Sequence, residues 1–221
     1  MIPRALHMPD LSAEPYEPRG IFNSEMAFLL GTIARLKINV VIESGRARGQ
    51  STYLLAKYLP ETVRIYSVER FRDDDALFCE ERIGARPNVA LLYSDGRTMV
   101  PRLVEWNKGA KIAVLLDGPK GQTALDLIDA IRNEIVVAFI HDMRKLDDGK
   151  TAPFRAEAER MFPEAFFTDD EGFIEATKAQ DEPVFALGAA SNWTPYHIGG
   201  EFIGSYGPTL GMFPCSMANT C

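Results

Sequence analysis

Five acidic side chains stand at the ends of five successive apolar runs, and this placement is the most informative feature of the sequence. The runs are rich in Val, Ile and Leu, which is typical of parallel strands buried on both faces. The carboxyl ends of parallel strands meet at one edge of a sheet, where ligands bind. We therefore expect one crevice in which carboxylates could hold a cation or accept protons from ribose hydroxyls. The five acids are Glu43, Glu69, Asp95, Asp117 and Asp142.

Two further polar residues accompany the last two acids. Lys120 follows in the segment Asp-Gly-Pro-Lys, and His141 directly precedes Asp142. Asp117 and Asp142 could hold Mg²⁺, which would bind an acceptor oxygen and lower its pKa. Lys120 could serve as a general base if desolvation lowered its pKa, and His141 as a base or a third metal ligand. Without a metal, the same carboxylates could orient a substrate or bind loop amides, and Lys120 could be solvated in its turn.

The elements that must position these residues alternate along the chain. Helical patterns occupy 25–37, the stretch after Ser51, 73–83, a segment whose first turn holds Pro101, 123–133 and 154–161. Strands alternating with helices predict a Rossmann-like, doubly wound α/β fold: a mostly parallel seven-stranded sheet with helices on both faces. The predicted strands are 40–42, 63–68, 89–93, 112–116, 135–140, 166–167 and 184–187.

A glycine turn follows the first predicted strand with the spacing E-x-G-x-x-x-G, given by Glu43, Gly45 and Gly49. A dinucleotide-binding turn would show G-x-G-x-x-G around a pyrophosphate, which a carboxylate would repel. The spacing therefore favours a cationic ligand, although the glycines could serve the turn alone. Glu69 lies where a βαβ unit places its ribose-binding acid, or it could pair at the surface with Arg70 or Arg72.

With these motifs the sequence resembles the class I S-adenosylmethionine-dependent methyltransferases. Over residues 23–145 it is similar to the metal-dependent catechol-type and cephalosporin-hydroxylase-like O-methyltransferases. Those families place D-x-x-K after the fourth strand and an Asp-Asn, Asp-Asp or Glu-Asp pair after the fifth, and His141 departs from that pair. The resemblance implies S-adenosylmethionine and a divalent cation, Mg²⁺, as cofactors, and methylation of a small hydroxylated acceptor.

The resemblance also implies roles for individual residues. Lys120 and His141 are the catalytic candidates, and Asp117, Asp142 and His141 are the candidate metal ligands. Asp95 would meet the adenine amino group, although Asp-Gly is also a strong turn former. Arg46 and Arg48 could hold a carboxylate or could be solvated loop charges. The candidate cofactor-binding residues are Glu43, Gly45, Gly49, Ser51, Glu69, Asp95, Gly96 and Asp117.

Composition limits the remaining function classes. The 221 residues carry 24 basic and 31 acidic side chains, a net charge of −7, without a basic stripe for nucleic acid. We expect no membrane partner, because no apolar run has the length of a membrane span, and the three scattered cysteines suit a reducing cytoplasm. Two alternatives remain open: a nicotinamide-dependent oxidoreductase, disfavoured by the glycine spacing, and a non-catalytic nucleoside-binding protein, disfavoured by the acids after strands four and five.

Three segments are predicted along the chain. Residues 1–22, with four prolines, are predicted to form an extended arm rather than a packed element, and residues 23–190 the methyltransferase-like domain. Residues 191–221 form a tail rich in glycine and aromatic residues. Such a tail could line a pocket or cover a second subunit, so we expect that the chain could form a homo-oligomer.

Overall fold

One seven-stranded sheet forms the centre of the computed structural model, which describes residues 6–17, 20–143, 152–184, 186 and 209–215. The strands are β1 (Val40–Ser44), β2 (Arg64–Glu69), β3 (Val89–Tyr93), β4 (Ile112–Leu116), β5 (Val137–Ile140), β6 (Phe166–Phe167) and β7 (Gly211–Pro214). Their order across the sheet is β3-β2-β1-β4-β5-β7-β6. The first five are parallel, and β7 runs antiparallel to both β5 and β6.

Helices cover both faces of the sheet. They are α1 (Asn23–Leu36), α2 (Gln50–Tyr58), α3 (Asp74–Ile83), α4 (Gly96–Trp106), α5 (Gln122–Ile131), α6 (Ala152–Met161) and α7 (Glu171–Thr177), followed by a 3₁₀ helix, Lys178–Asp181. Side chains alternate along β1, so Val41 joins an apolar cluster with α1, α2 and α7, while Val40 and Ile42 join another with α4, α5 and α6. The predicted fold is therefore confirmed.

The seventh strand differs from the prediction. Val184, predicted to start a strand, lies in helical backbone, and Leu187 lies outside the described residues. The strand comes instead from Gly211–Pro214, where the Phe213 ring packs 5.2 Å from that of Phe162 and 5.8 Å from that of Phe167. A short apolar run alone does not separate strand from helix, which explains the error.

The helix around Pro101 also starts earlier than predicted. It begins at Gly96, after Asp95, whose carboxylate accepts the N–H of Arg97 at 2.9 Å. Pro101 therefore stands inside the helix rather than in its first turn. Asp95 is therefore the N-cap of this helix, a position that aspartate favours.

The described part of the arm packs against the domain, which differs from the prediction of an unpacked arm. Leu11 is fully buried, and its N–H donates to the side chain of Gln180. The Asn23 amide donates to the backbone oxygens of Leu11 and Glu14, at 3.0 and 3.1 Å. These bonds hold the arm beside the start of α1. Among the described helices, none is both long and apolar enough to cross a membrane.

Candidate active site

A crevice opens at the carboxyl ends of β1 and β4. One wall is the arm, with Glu17, Gly20 and Ile21, and another is the turn between β1 and α2, from Arg46 to Ser51. Asp117 and His141, at the ends of β4 and β5, close the remaining side. The sheet edge therefore brings the glycine turn and the predicted chemical residues to one place.

The glycines of the turn are required by close packing. Gly45 and Gly49 have φ values of 88° and 78°, which L side chains rarely adopt. A Cβ on Gly45 would lie 2.2 Å from the backbone nitrogen of Gly118, and one on Gly49 would lie 2.3 Å from Cys79 Sγ. A Cβ on Gly96 would likewise lie 2.0 Å from Ser44 Oγ. The turns after β1 and β4 thus touch each other, and this contact accounts for Gly45 without a ligand.

Glu43 does not face the crevice. Its side chain is fully buried between β1, α2 and β2, where its carboxylate accepts hydrogen bonds from the hydroxyls of Thr52 and Ser67. Burial raises the pKa of Glu43, and the hydrogen bonds only partly oppose this increase. As placed, Glu43 joins α2 to the sheet and does not touch a ligand in the crevice.

Glu69 and Asp95 lie at strand ends, as predicted, and both already have partners. Glu69 Oε2 accepts the N–H groups of Arg46 and Ala47, each at 3.0 Å, so this carboxylate fixes the glycine turn. Asp95 forms an exposed ion pair with Arg97, and the hydrogen bonds from Arg97 lower the pKa of Asp95 to about 2. A ribose or adenine group would meet these carboxylates only from their remaining exposed sides.

The two arginines of the turn differ. Arg46 is buried and donates to the backbone oxygens of Ser67 and Leu92, at 2.7 and 3.0 Å. Arg48 is half-buried at the crevice, where it lies 3.2 Å from Glu17 and 3.1 Å from Asp75. Both arginines line the crevice, and Arg48 is already paired with two carboxylates.

The four polar residues after β4 and β5, which we call the charged cluster, come together as predicted. It consists of Asp117, Lys120, His141 and Asp142. Lys120 Nζ contacts Asp117 Oδ1 and lies 2.5 Å from Asp142 Oδ2. His141 Nδ1 lies 3.0 Å from Asp117 Oδ1 and 3.7 Å from Asp142 Oδ1. Asp142 adopts φ 64°, a left-handed conformation that aspartate tolerates better than most residues.

Glu25 is a fifth member of this site that the sequence analysis did not identify. It is fully buried, and its Oε2 lies 3.3 Å from His141 Nε2. The same carboxylate accepts the N–H of Phe22 at 2.9 Å and that of Thr209 at 2.5 Å. The available signal was an acid on the apolar face of a predicted helix, next to Met26. Burying such a residue is costly unless it is paired.

The electrostatics of the charged cluster keep its two cations protonated. Burial alone would lower the pKa of Lys120 and of His141, but the carboxylates of Asp117 and Asp142 raise both by more. Burial raises the pKa of Asp117, yet His141 and Lys120 bring it well below its usual value. The desolvated, neutral Lys120 that a general base requires is therefore not what this arrangement produces.

The same arrangement tests the predicted metal site. Asp117, His141 and Asp142 offer ligand atoms that lie within 4.8 Å of one another. However, Lys120 Nζ contacts both aspartates, and both ring nitrogens of His141 face carboxylates. A metal ligand histidine must be neutral, and a cation between these carboxylates would meet an ammonium. As arranged, the charged cluster does not fit a resident divalent ion.

Neither a protein-family model nor a curated protein sequence matches the chain. Solved structures do match it. A cofactor-bound protein from MTB is 13% identical, with a TM-score of 0.52 over 96% of this chain and 84% of that chain. A protein assigned as an rRNA methylase, from Clostridium thermocellum, is 10% identical, with a TM-score of 0.52 over 87% of this chain and 97% of that chain.

A third matching structure is a protein from Staphylococcus aureus that is assigned as a caffeoyl-CoA O-methyltransferase. It is 10% identical, with a TM-score of 0.50 over 86% of this chain and 82% of that chain. Identities this low establish a common fold and leave the substrate open. In its fold, the chain resembles the class I S-adenosylmethionine-dependent methyltransferases, O-methyltransferases included.

Proposed function

We propose that this chain is an S-adenosylmethionine-dependent O-methyltransferase that acts on a small hydroxylated acceptor. The observation that carries the proposal is the crevice itself. In a methyltransferase fold, it places the glycine turn after β1 opposite Asp117 and His141 of the charged cluster. A donor held at the turn would therefore present its methyl group to an acceptor held at the cluster.

The reaction asks for an acceptor oxygen that attacks the methyl carbon in line with the departing sulfur. The acceptor hydroxyl releases its proton to bulk water, the C–S bond breaks, a C–O bond forms between the acceptor oxygen and the methyl carbon, and neutral S-adenosylhomocysteine leaves. Lys120 and His141 are positively charged, so their proposed catalytic role is to stabilise the anionic form of the acceptor oxygen. Lys120 would do so through the N–H group that its two aspartate contacts leave over, and His141 through its charge, since both of its ring nitrogens face carboxylates. Acceptors with acidic hydroxyls, such as phenols, should then react faster than alcohols.

The cofactor contacts are also proposals. We place the methionine part near Gly45, Gly49, Ser51 and Asp117, which border the crevice or support its wall. The ribose would use the exposed side of Glu69, and the adenine would lie near Asp95 and Gly96. Glu43 would act indirectly, by holding α2 to the sheet. The metal-assisted form of the reaction, with Asp117, Asp142 and His141 as ligands, is the rival that the charged cluster disfavours.

Calorimetry tests the cofactor directly. We expect S-adenosylhomocysteine to bind the purified chain, and NAD to give no measurable heat. Binding of NAD alone would support an oxidoreductase and overturn the proposal. Transfer of a labelled methyl group to a panel of phenols, hydroxy acids and sugars then tests the activity. If S-adenosylhomocysteine binds but no acceptor in a broad panel is methylated, the non-catalytic nucleoside-binding alternative is favoured.

A further inference from the structure

The charged cluster and Glu25 together contain three carboxylates and two cations. Lys120 Nζ bridges the carboxylates of Asp117 and Asp142, and His141 lies between those of Asp117 and Glu25. The formal charge of this group is therefore −3 + 2 = −1 when both cations are protonated. The ammonium of Lys120 takes the position that a divalent ion bound by both aspartates would occupy.

We infer that Lys120 is a built-in replacement for a metal, so that the cluster excludes divalent cations and gains a metal site when this ammonium is removed. The exclusion follows from charge and space. Mg²⁺ binds carboxylate oxygens at about 2.0–2.1 Å, so a bridging ion would have to displace Nζ from both aspartates. Like charges in contact repel strongly in a partly desolvated site.

The converse follows from the same geometry. Without the ammonium, the Asp117 and Asp142 carboxylates keep His141 as a cationic partner, and the formal charge of the group falls to −2. An ion bound there would displace the ring proton of His141. The ligand atoms of the two carboxylates and that of His141 already lie within 4.8 Å of one another, close enough to share one ion. The backbone that places them, at the ends of two adjacent parallel strands, does not depend on Lys120.

The part that Lys120 would take in catalysis rests on the proposed function, whereas the exclusion of metal does not. One positive charge stabilises an acceptor oxyanion less than a divalent ion does, but it is fixed by two ion pairs and needs no dissociable cofactor. The use of a lysine ammonium in place of a metal ion would distinguish this chain from the metal-dependent O-methyltransferases that the sequence resembles.

The test measures Mn²⁺ binding to the full chain by electron paramagnetic resonance. The measurement needs neither S-adenosylmethionine nor an acceptor. Wild type should bind Mn²⁺ no better than Lys108→Met, a control at an exposed lysine. Lys120→Met keeps the length of the side chain without its charge and should bind about tenfold more tightly or better. Lys120→Arg keeps a positive charge and should resemble wild type.

A second substitution locates the new site. The gain in Lys120→Met should disappear when Asp117→Asn is added, since the ion would lose one of its carboxylates. Circular dichroism shows whether each variant is folded. If Lys120→Met is not folded, Lys120→Gln replaces it in the experiment. Wild-type Mn²⁺ binding that Asp117→Asn abolishes would overturn the inference, as would a folded Lys120→Met or Lys120→Gln without the gain. Calorimetry with S-adenosylhomocysteine judges the proposed function separately.

Discussion

The two halves of the sheet edge around the crevice use their carboxylates in different ways. In the half formed by β1 and β2, the acids accept hydrogen bonds from neutral donors: hydroxyls bind Oε2 of Glu43 and backbone N–H groups bind Glu69. In the half formed by β4 and β5, Asp117 and Asp142 instead contact the charged side chain of Lys120. In the first half the hydrogen-bond donors to the carboxylates are neutral, and in the second half the partners of the carboxylates are charged.

This difference separates carboxylates that hold the structure in place from carboxylates that could take part in the reaction. A carboxylate held by neutral donors of its own chain fixes the turn or helix that supplies them. A carboxylate among cations sets the electric field where an acceptor oxygen would lie, and its partners can exchange when a ligand binds. Substitutions in the β1–β2 half should therefore change cofactor binding or stability, while those in the β4–β5 half should change turnover.

The largest effect is expected from Asp117→Asn. The neutral amide would no longer hold both Lys120 and His141, so the donors for the acceptor oxygen would lose their alignment. We expect methyl transfer to fall by about 100-fold or more, a loss typical of misplaced catalytic groups. S-adenosylhomocysteine affinity should change by no more than about threefold, because most of the proposed cofactor contacts lie elsewhere. Steady-state kinetics and calorimetry measure the two quantities.

Asp126→Asn is the matched control for that experiment. Asp126 is exposed on α5 and accepts a hydrogen bond from Gln122, outside the crevice. The control should keep wild-type turnover. A large loss of cofactor affinity in Asp117→Asn, with unchanged turnover at saturation, would contradict the division between the two halves.

Glu69→Ala tests the opposite half. The substitution removes the acceptor for the N–H groups of Arg46 and Ala47 and the proposed partner of the ribose hydroxyls. Hydrogen bonds to a charged group are worth about 1.5–3 kcal/mol, so S-adenosylhomocysteine should bind roughly 10- to 100-fold more weakly. Glu61→Ala, at an exposed glutamate before β2, should bind it as wild type does. Equal affinities in the two variants would remove Glu69 from the cofactor site.

Much of the fold could be predicted because its signals are local. Each of the first five strands contains a short apolar run with an acid near or just after its carboxyl end. The cluster of Asp117, Lys120, His141 and Asp142 followed from one rule, that the ends of parallel strands meet. The missing signals are long-range: Glu25 accepts the N–H of Thr209, 184 residues later in the chain.

The orientation of Glu43 shows a second limit of sequence reasoning. An acid at a strand end was expected to face the crevice, but alternation along β1 and two hydroxyls from α2 and β2 direct this side chain into the protein. The pKa of Lys120 shows a third. The general-base role of Lys120 was conditional on desolvation lowering this pKa, and only the distances to Asp117 and Asp142 reveal that two ion pairs outweigh burial.

Glu25→Gln addresses how the reactive half is positioned. Glu25 does not line the crevice, and we expect it to act by fixing the ring of His141 through Nε2. Turnover should fall about tenfold with the acceptor KM nearly unchanged, as for a lost hydrogen bond to a charged group. The chain has three histidines, so the ring proton of His141 can be assigned by NMR and should move upfield in the variant. An unmoved signal with normal turnover would leave Glu25 as a structural residue.

The smallest effect is expected from Glu43→Gln, and it concerns stability rather than turnover. Burial raises the pKa of Glu43 above its ordinary value of 4.5, so above that pH the folded protein retains a proton that the unfolded chain releases. Stability from this group is therefore complete below pH 4.5 and is lost as the pH rises through the folded pKa. Glutamine cannot ionise, so the free energy of unfolding of the variant should rise relative to that of wild type between acid and neutral pH, by about 1 kcal/mol or more. Urea unfolding at a series of pH values measures this difference. Glu61→Gln, at an exposed position, should follow wild type throughout. If Glu43→Gln also follows wild type, the Glu43 carboxylate is charged in the folded state. The β1–β2 half would then contain a buried charge, and the contrast with the charged cluster would be lost.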